Sequence, residues 1–282
     1  MAGTAIGEGA GEWVPGQDGA RPADDAPERV HAEPAGPDQA WREEAERGLG
    51  HPADQGSHQI GDRVPAREVC RQVSNLGGLG LDLDGAYAWI ASFQRRLEAE
   101  ATELGELDRR AGDGDFGANI RRALRRVERR LDEVPPTTPG ELFLGVAHGF
   151  LNTGGTSGPL FGLWFRGIGQ ASDAPVMTLA ALAKGVDAGT ATVQRLGKAR
   201  PGDKTMVDAM APAADALAAA VADGLNVAGG IALAADAARA GALATESMRA
   251  RRGRAAYVGD VARGVLDPGA LTVALFFASA LA

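Results

Sequence analysis

The chain has 282 residues, of which 45% are hydrophobic and 23% charged, enough for a sizeable core in one large domain or two small ones. It contains no run of about 18 apolar residues and no basic and apolar leader, so we expect neither a transmembrane span nor a secretory signal. A single cysteine, Cys70, excludes an intramolecular disulfide framework, and these features together favour the cytoplasm.

The net charge of −8 is concentrated in the first quarter of the chain. Residues 1–75 carry 14 acidic residues against 7 arginines, with seven prolines, eleven glycines and no sustained apolar period. This composition predicts a disordered acidic extension, either a partner-binding tail or a dispensable leader, ahead of a folded domain over residues 76–282. The folded part has 23 acidic and 22 basic residues, and therefore lacks the basic footprint that nucleic-acid binding requires.

Helical periodicity dominates the domain after residue 76, and strand signals are nearly absent. In the first helix, Ile90, Phe93 and Leu97 recur at three- and four-residue steps. Eight such helices are predicted: 85–107, 119–131, 139–151, 159–168, 179–196, 205–223, 227–248 and a last apolar helix that ends at 281. Because most connections are short, sequential helices are expected to run antiparallel, as an all-α up-and-down bundle.

Two polar residues have predicted places in this arrangement. His148, in the apolar segment 139–151, is expected to be packed and hydrogen-bonded rather than catalytic. Asp203 is expected to cap the helix that is entered at Lys204, because a short carboxylate accepts hydrogen bonds from first-turn amides.

The stretch from Asp108 to Asn119 combines aspartates at 108, 113 and 115 with three glycines. Spacings of five and two residues do not place three carboxylates on one side of a regular helix, where each residue turns about 100°. The carboxylates converge if the glycines allow a tight turn, and a point ringed by carboxylates attracts a hard divalent cation. The alternative is a solvated acidic loop, which is typical of this composition.

Two further polar stretches suit phosphate groups. Gly154–Gly158 supplies backbone N–H groups and two hydroxyls at a predicted helix N-terminus, where the helix dipole favours an anion. It is not a Walker A loop, because no Gly-Lys-Ser/Thr follows, and a plain glycine-rich turn is the alternative. Arg251, Arg252 and Arg254 either clamp phosphate oxygens or compensate a helix dipole.

The polar loops 108–119, 197–204 and 249–269 lie at alternate helix connections. In an up-and-down arrangement, alternate connections fall at the same end of the bundle. The sequence therefore predicts that acids, glycine-rich backbone and arginines meet there as a metal-bridged phosphate site. The polar segment 152–158, between the predicted helices 139–151 and 159–168, is harder to assign to an end of the bundle. Its place in the count depends on whether it separates two helices or interrupts one bent helix.

Five motifs occur in one order along the chain: LDRRAGDGDFGAN (107–119), GGTSGPLFG (154–162), PGDKTM (201–206), GRAAY (253–257) and DPGA (267–270). Together they resemble the nucleotide-binding L subunit (DhaL) of dihydroxyacetone kinases, over roughly residues 82–282. The resemblance implies an eight-helix antiparallel barrel with a nucleotide, ADP or ATP, bound at one end.

The resemblance also implies particular site residues. Asp108, Asp113 and Asp115 correspond to the catalytic ligands of two magnesium ions that bridge the nucleotide phosphates. Gly197 and Met206 correspond to the part that holds the adenosine moiety. The full set of implied nucleotide contacts is Phe116, Gly117, Ala118, Asn119, Thr156, Ser157, Gly197, Met206, Arg254, Asp267, Pro268 and Gly269.

By the same resemblance, the chain is half of a kinase. A short ketose such as dihydroxyacetone is held by a histidine of a separate K subunit, and the phosphoryl donor is either ATP or a phosphotransferase-system phosphoprotein. Neither nucleic acid nor a membrane is an expected partner.

Phe116 departs from the family, which usually has histidine at this position. Phenylalanine donates no hydrogen bond to a phosphate, so one contact is lost or replaced. A nucleotide-binding regulatory module without turnover is therefore one alternative function. The related nucleotide domain of fatty-acid kinases is another, although the motifs at 154–160 and 267–270 argue against it.

Overall fold

The computed structural model describes residues 80–282, without the side chains of residues 258 and 261. The acidic extension predicted over residues 1–75 lies outside the described residues. Within 80–282 the chain forms helices and no strand, apart from an isolated antiparallel bridge between Leu81 and Met177. The all-α prediction is confirmed.

Nine α-helices make up the described part of the chain. Their bounds are α1 (Leu83–Ala111), α2 (Phe116–Glu133), α3 (Pro139–Leu151), α4 (Ser157–Gly169), α5 (Leu179–Gly197), α6 (Val207–Ala222), α7 (Val227–Ala244), α8 (Ala255–Val258) and α9 (Pro268–Ser279). Because α8 is a single turn of four residues, the other eight helices correspond to the eight predicted segments.

The eight long helices close into a ring. Each contacts its neighbours in the chain, and α9 contacts both α7 and α1. Most connections are short, so sequential helices run antiparallel, and α1–α2, α3–α4, α5–α6 and the longer α7–α9 all connect at one end. The 152–156 break is one of these four connections, because α3 ends at Leu151 and α4 begins at Ser157.

Aromatic side chains join α9 to the rest of the ring. Trp89 of α1 stacks on Phe276 of α9 with ring centroids 4.5 Å apart, and its Nε1 donates a 2.6 Å hydrogen bond to the Phe276 carbonyl. That carbonyl lies in the last turn of α9, where helical donors run out. Trp164 of α4 meets the same phenylalanine ring edge-on at 5.1 Å. Complete burial of a side chain such as Phe276 contributes roughly 1.5–3 kcal/mol to stability.

His148 is exposed on α3, so the prediction that it is packed is wrong. It shares a solvent-facing stripe with Glu141 and Leu144, at three- and four-residue steps along the helix. The segment is apolar almost throughout, but its helical period still leaves one side on the surface.

Asp203 does not cap α6, which begins at Val207, three residues later than the entry predicted at Lys204. Its carboxylate instead accepts a 3.0 Å hydrogen bond from the backbone N–H of Arg200, within the same loop. The turn into α6 is held by the carboxylate of Asp208, which accepts hydrogen bonds from the backbone amides on its N-terminal side.

The segment Val227–Ser247 is apolar and long enough to cross a membrane by length and composition alone. It forms α7 and the 3₁₀ turn that follows, and α7 contacts α6 and α9 in the ring. Ile231, Ala234 and Ala238 on its inner face are buried by these contacts. Packing within the bundle therefore accounts for the apolar residues on its inner face.

Candidate functional site

An open pocket of about 1000 Å³, solvent at its mouth included, lies at the end of the ring where the four connections meet. Each of the four connections contributes residues to its lining. Twelve residues predicted from the sequence line it: Asp108, Asp113, Asp115, Phe116, Thr156, Ser157, Gly197, Met206, Arg254, Asp267, Pro268 and Gly269. The other three, at positions 117–119, lie outside the lining.

Three carboxylates converge at the edge of this pocket. Asp108 lies in the last turn of α1, and Asp113 and Asp115 belong to the loop before α2. One oxygen of each carboxylate lies within 4.8 Å of the others. Two glycines make the turn possible: Gly114 has φ of 75°, and a Cβ atom on Gly112 would lie 2.7 Å from Asp108 Oδ1. Hard oxygen donors at this separation suit a divalent cation such as magnesium.

Asp108 is half-buried, and burial raises the pKa of its carboxyl group above the ordinary value. The backbone N–H of Phe116, which donates a 3.1 Å hydrogen bond to Oδ2, opposes this rise, as does the Gly114 amide. The negative charges of Asp113 and Asp115 raise the pKa further. A bound cation would relieve this crowding of like charges.

Arg254 reaches the carboxylate cluster from the α7–α9 connection, where its guanidinium donates a hydrogen bond to Asp113 Oδ2. The same connection is anchored to the α5–α6 loop, because the backbone N–H of Arg251 donates to the Asp203 carbonyl at 3.0 Å. Arg252 lines the pocket beside them, with its Nε 3.9 Å from Asp203 Oδ2. Two arginine side chains therefore border the pocket next to the acids.

Helix α2 begins at the pocket at Phe116 and α4 at Ser157, and the residue before each makes no side-chain cap, although the Phe116 N–H itself donates to Asp108. The first-turn N–H groups of a helix lack acceptors within the helix, and the helix dipole favours an anion there. Gly155, with φ of 80°, brings the chain into α4 close to Asn119. A Cβ atom on this glycine would lie 2.7 Å from Asn119 Nδ2. These two helix ends suit phosphate oxygens.

The three predicted contacts outside the lining have other surroundings. Gly117 is buried against α1, where a Cβ atom would lie 2.0 Å from the Ala101 carbonyl oxygen. Ala118 is exposed on α2. Asn119 accepts a 2.9 Å hydrogen bond from Arg122 and lines a small adjacent cavity. Any contribution of Gly117 and Ala118 to phosphate binding therefore comes from their first-turn amides.

One part of the pocket lining is apolar. Leu160 of α4 and Val193 of α5 contribute to it, together with Met206 and Leu266. Met206 packs closely on Gly269, where a Cβ atom would lie 3.2 Å from Met206 Cβ. An apolar wall of this kind suits a planar base. Leu160, Val193 and Leu266 could not be predicted as pocket residues, because apolar residues in or beside helices are typical of a core.

Asp267 caps α9, since its Oδ2 accepts a 2.7 Å hydrogen bond from the backbone N–H of Ala270. Burial raises the pKa of Asp267 to about 7, against the opposing effects of the Ala270 amide and the Lys204 charge. Pro268 occupies the first turn of α9, where its missing N–H costs no hydrogen bond. This aspartate therefore both starts a helix and lines the pocket.

Phe116, the departure from the resembling family, is 5% exposed. It lines both the main pocket and the small cavity beside it. Its backbone N–H is occupied by Asp108, and its ring adds apolar surface where a histidine would add a hydrogen-bonding group.

Lys204 is a pocket residue that sequence reasoning missed. Its side chain is 1% exposed, and its Nζ donates hydrogen bonds to the carbonyl oxygens of Thr245, at 2.5 Å, and Val265. A lysine in a polar loop is ordinarily solvated, so nothing local marks this burial.

A family model described as the DAK2 domain matches residues 110–282. The PEP-dependent dihydroxyacetone kinase 1, ADP-binding subunit DhaL, of Listeria innocua is 32% identical over 197 residues, which is 70% of this chain and 94% of that protein. The corresponding DhaL subunit of Escherichia coli is 35% identical over 187 residues, covering 66% of this chain and 89% of that protein.

Longer proteins are also similar. Human triokinase/FMN cyclase is 38% identical over 173 residues, which is 61% of this chain but 30% of that protein. The crystal structure of the dihydroxyacetone kinase of C. freundii has a TM-score of 0.53 at 25% identity and covers 81% of this chain and 38% of that chain. The structure of that kinase in complex with AMP-PNP and Mg²⁺ has a TM-score of 0.51.

Proposed function

The chain belongs to the DAK2 domain family, and from this we propose that it is the nucleotide-binding subunit of a dihydroxyacetone-type kinase. The observation that carries the proposal is the meeting of three carboxylates, the N-termini of α2 and α4 and an arginine in one pocket. Two of the relatives are named ADP-binding subunits, and a related kinase was crystallised with AMP-PNP and Mg²⁺.

In this proposal, Asp108, Asp113 and Asp115 hold two magnesium ions at the edge of the pocket. Bound magnesium neutralises phosphate charge and orients the transferred group. The chain itself supplies the ligands on a turn that Gly112 and Gly114 keep tight, so the carboxylates are already gathered before an ion binds.

The remaining groups position the nucleotide. First-turn amides of α2 and α4 receive phosphate oxygens, and Arg254 adds a planar donor fork beside them. The apolar wall with Met206 and Leu266 receives the base. Phosphoryl transfer requires mainly positioning and neutralisation of charge, and the pocket offers both.

The acceptor in this proposal is a short ketose such as dihydroxyacetone, held on a separate K subunit that also supplies the base for its hydroxyl group. The donor is either ATP or a phosphotransferase-system phosphoprotein that recharges bound ADP, and we propose that the chain works in the cytoplasm. Relatives are named PEP-dependent and PTS-dependent kinases, names that both correspond to the second donor, and the two arms of the test below distinguish it from ATP.

A regulatory module that binds nucleotide without turnover is the second candidate. Phe116 favours it, because an apolar ring stands where the family usually carries a hydrogen-bonding side chain. The two candidates share the nucleotide site and differ in whether ketose phosphate is formed.

The test combines the purified chain with a K subunit, dihydroxyacetone, Mg²⁺ and ATP, and measures ketose phosphate. A second arm replaces ATP with PEP and the phosphotransferase proteins. The K subunit is first shown to be active with the DhaL subunit of Escherichia coli. Product in either arm supports the kinase. Binding of MgADP in calorimetry without product in both arms supports the regulatory module, and absence of both binding and product overturns the nucleotide site itself.

A further inference from the structure

We infer that Lys204 is a positioning residue whose buried ammonium group holds the α7–α9 connection over the nucleotide pocket. The inference rests on the proposed function, because the connection carries Arg252, Arg254 and Asp267 into that pocket. Lys204 is the most completely buried charged side chain of residues 80–282, at 1% exposure.

The hydrogen bonds of Lys204 join three parts of the chain that are distant in sequence. Its Nζ donates to the carbonyl oxygen of Thr245, 41 residues away and at the start of the α7–α9 connection. It also donates to the carbonyl oxygen of Val265, 61 residues away and close to the end of that connection. One ammonium group, carried by the α5–α6 loop, therefore binds both the first and the last part of the α7–α9 connection.

Neighbouring bonds support the same closure. The backbone N–H of Gly264 donates to the Glu246 carbonyl at 2.9 Å. The backbone N–H of Asp267 donates to Thr245 Oγ1, also at 2.9 Å. The backbone N–H of Arg251 already joins the connection to the α5–α6 loop through the Asp203 carbonyl, and Lys204 adds a second, buried link to that loop. The loop itself reaches the pocket through Met206.

A neutral side chain of the same length does not replace this ammonium group. Without its donors, the buried carbonyl oxygens of Thr245 and Val265 lose hydrogen bonds that water does not readily replace at a buried position. The backbone conformation of Lys204 is a second indication of this role. Its φ of 61° lies in the left-handed region, which residues other than glycine rarely occupy. Such strain persists where the surrounding contacts dictate the conformation.

A purely supportive role for Lys204 predicts lower stability alone, whereas positioning predicts that its loss acts through Arg254. The probe is MgADP, titrated calorimetrically into the full chain at 15 °C after circular dichroism has shown that each variant is folded. Lys204→Met should weaken MgADP binding by about tenfold, and Arg254→Gln by a similar factor. The MgADP affinity of the double variant should lie within about twofold of that of the single variant that binds MgADP less tightly, since both changes remove the same interaction.

Lys198→Met is the matched control, because Lys198 lies in the same loop, also has a positive φ of 50°, and is exposed. Its MgADP affinity should equal that of the unmodified chain. If Lys204→Met does not fold, Lys204→Gln takes its place, since it keeps N–H donors on a shorter stem. The inference is overturned if a folded Lys204 variant binds MgADP with unchanged affinity. It is also overturned if the loss of affinity in the double variant equals the product of the two single losses.

Amide hydrogen exchange over residues 246–264, measured without nucleotide, separates this inference from the proposed function. Exchange in this segment should be at least about fivefold faster in the Lys204 variant than in the unmodified chain. Unchanged protection overturns the anchoring role even if the chain binds MgADP. Failure of the unmodified chain to bind MgADP, with faster exchange in the variant, overturns the nucleotide site and leaves the anchor standing.

Discussion

Arg254 donates a hydrogen bond to the carboxylate of Asp113, although 141 residues separate the two in the chain. The contact joins the α7–α9 connection to the acidic turn before α2, across the pocket. It also places a positive charge on one of the three carboxylates that would ligate a divalent ion. Arg254 and a cation therefore compete for Asp113, while both attract the phosphates of a nucleotide.

Arg254→Gln should change the affinities for two ligands in opposite directions. Mg²⁺ alone should bind more tightly, by roughly twofold to fivefold, because Asp113 is released from its ion pair. MgADP should bind more weakly, because a charged donor to the phosphates is lost. Calorimetric titrations with each ligand provide the measurement. Arg263→Gln, an exposed arginine of the same connection, is the control and should change neither affinity. Weaker binding of both ligands would show that Arg254 does not oppose the metal.

Asp113→Asn should abolish the Mg²⁺ dependence of ADP binding, because an amide oxygen replaces a charged ligand in a cluster of three. We expect the affinity for MgADP to fall by at least about tenfold, with little change in stability, since the side chain is exposed. The measurement is titration of ADP with and without Mg²⁺. Asp223→Asn, an exposed acid in the α6–α7 connection at the other end of the ring, is the control. Equal MgADP affinities in the Asp113 variant and the unmodified chain would refute the assignment of this ligand.

The sequence predicted the features of this site that depend on local patterns. Ile90, Phe93 and Leu97 recur at helical steps, and all three are buried in α1, the helix that carries Asp108 in its last turn. The glycines around Asp113 predicted a turn, and Gly114 has the positive φ that such a turn uses. The shared end of the loops 108–119, 197–204 and 249–269 followed from counting helices, since direction alternates along an up-and-down chain, whereas the counting left the place of 152–158 open.

Features that depend on distant contacts were not predictable from the sequence. Lys204 is buried by carbonyl groups 41 and 61 residues away, and no spacing within its own loop records them. Leu160 and Val193 follow the same apolar period as core residues, and only the shape of the ring exposes them to a pocket. The prediction that His148 is packed was wrong because the segment is apolar on most sides, and its narrow exposed stripe is not evident from composition.

Asp267→Asn should stabilise the protein more at high pH than at low pH, relative to the unmodified chain. The folded-state pKa of Asp267 is raised by burial to about 7, above the ordinary value of 3.8. The neutral acid therefore contributes stability that is fully present below the ordinary pKa and is lost as the pH rises through about 7. Asparagine keeps an oxygen to cap α9 but does not ionise.

Urea unfolding of both proteins at pH 5, 6, 7 and 8 measures this difference. The gap in unfolding free energy should widen in favour of the asparagine variant, by up to about 1.4 kcal/mol per pH unit below pH 7, and level off above it. Asp223→Asn, at an exposed position, should show no such trend. A gap that is constant across this range would mean that Asp267 is ionised throughout.

Gly117→Ala should destabilise the protein, although alanine ordinarily favours a helix over glycine by about 1 kcal/mol. Gly117 is buried where α2 crosses α1, and its added Cβ atom would lie 2.0 Å from the backbone carbonyl oxygen of Ala101. Backbone does not yield as a flexible side chain does, so α2 must move, at a cost of roughly 1–3 kcal/mol. The movement displaces the amides at the start of α2, and MgADP binding should weaken as well.

Gly105→Ala is the matched control on the facing helix. A Cβ atom there would lie 3.6 Å from the nearest backbone atoms of Gly117, an ordinary contact, so this variant should be as stable as the unmodified chain or slightly more stable. Urea unfolding distinguishes the two substitutions at the same helix crossing. Equal stabilities would mean that α2 tolerates a side chain at Gly117. A loss confined to the Gly117 variant would show that this glycine, which the motif assigns to phosphate binding, is required first for the close approach of the two helices.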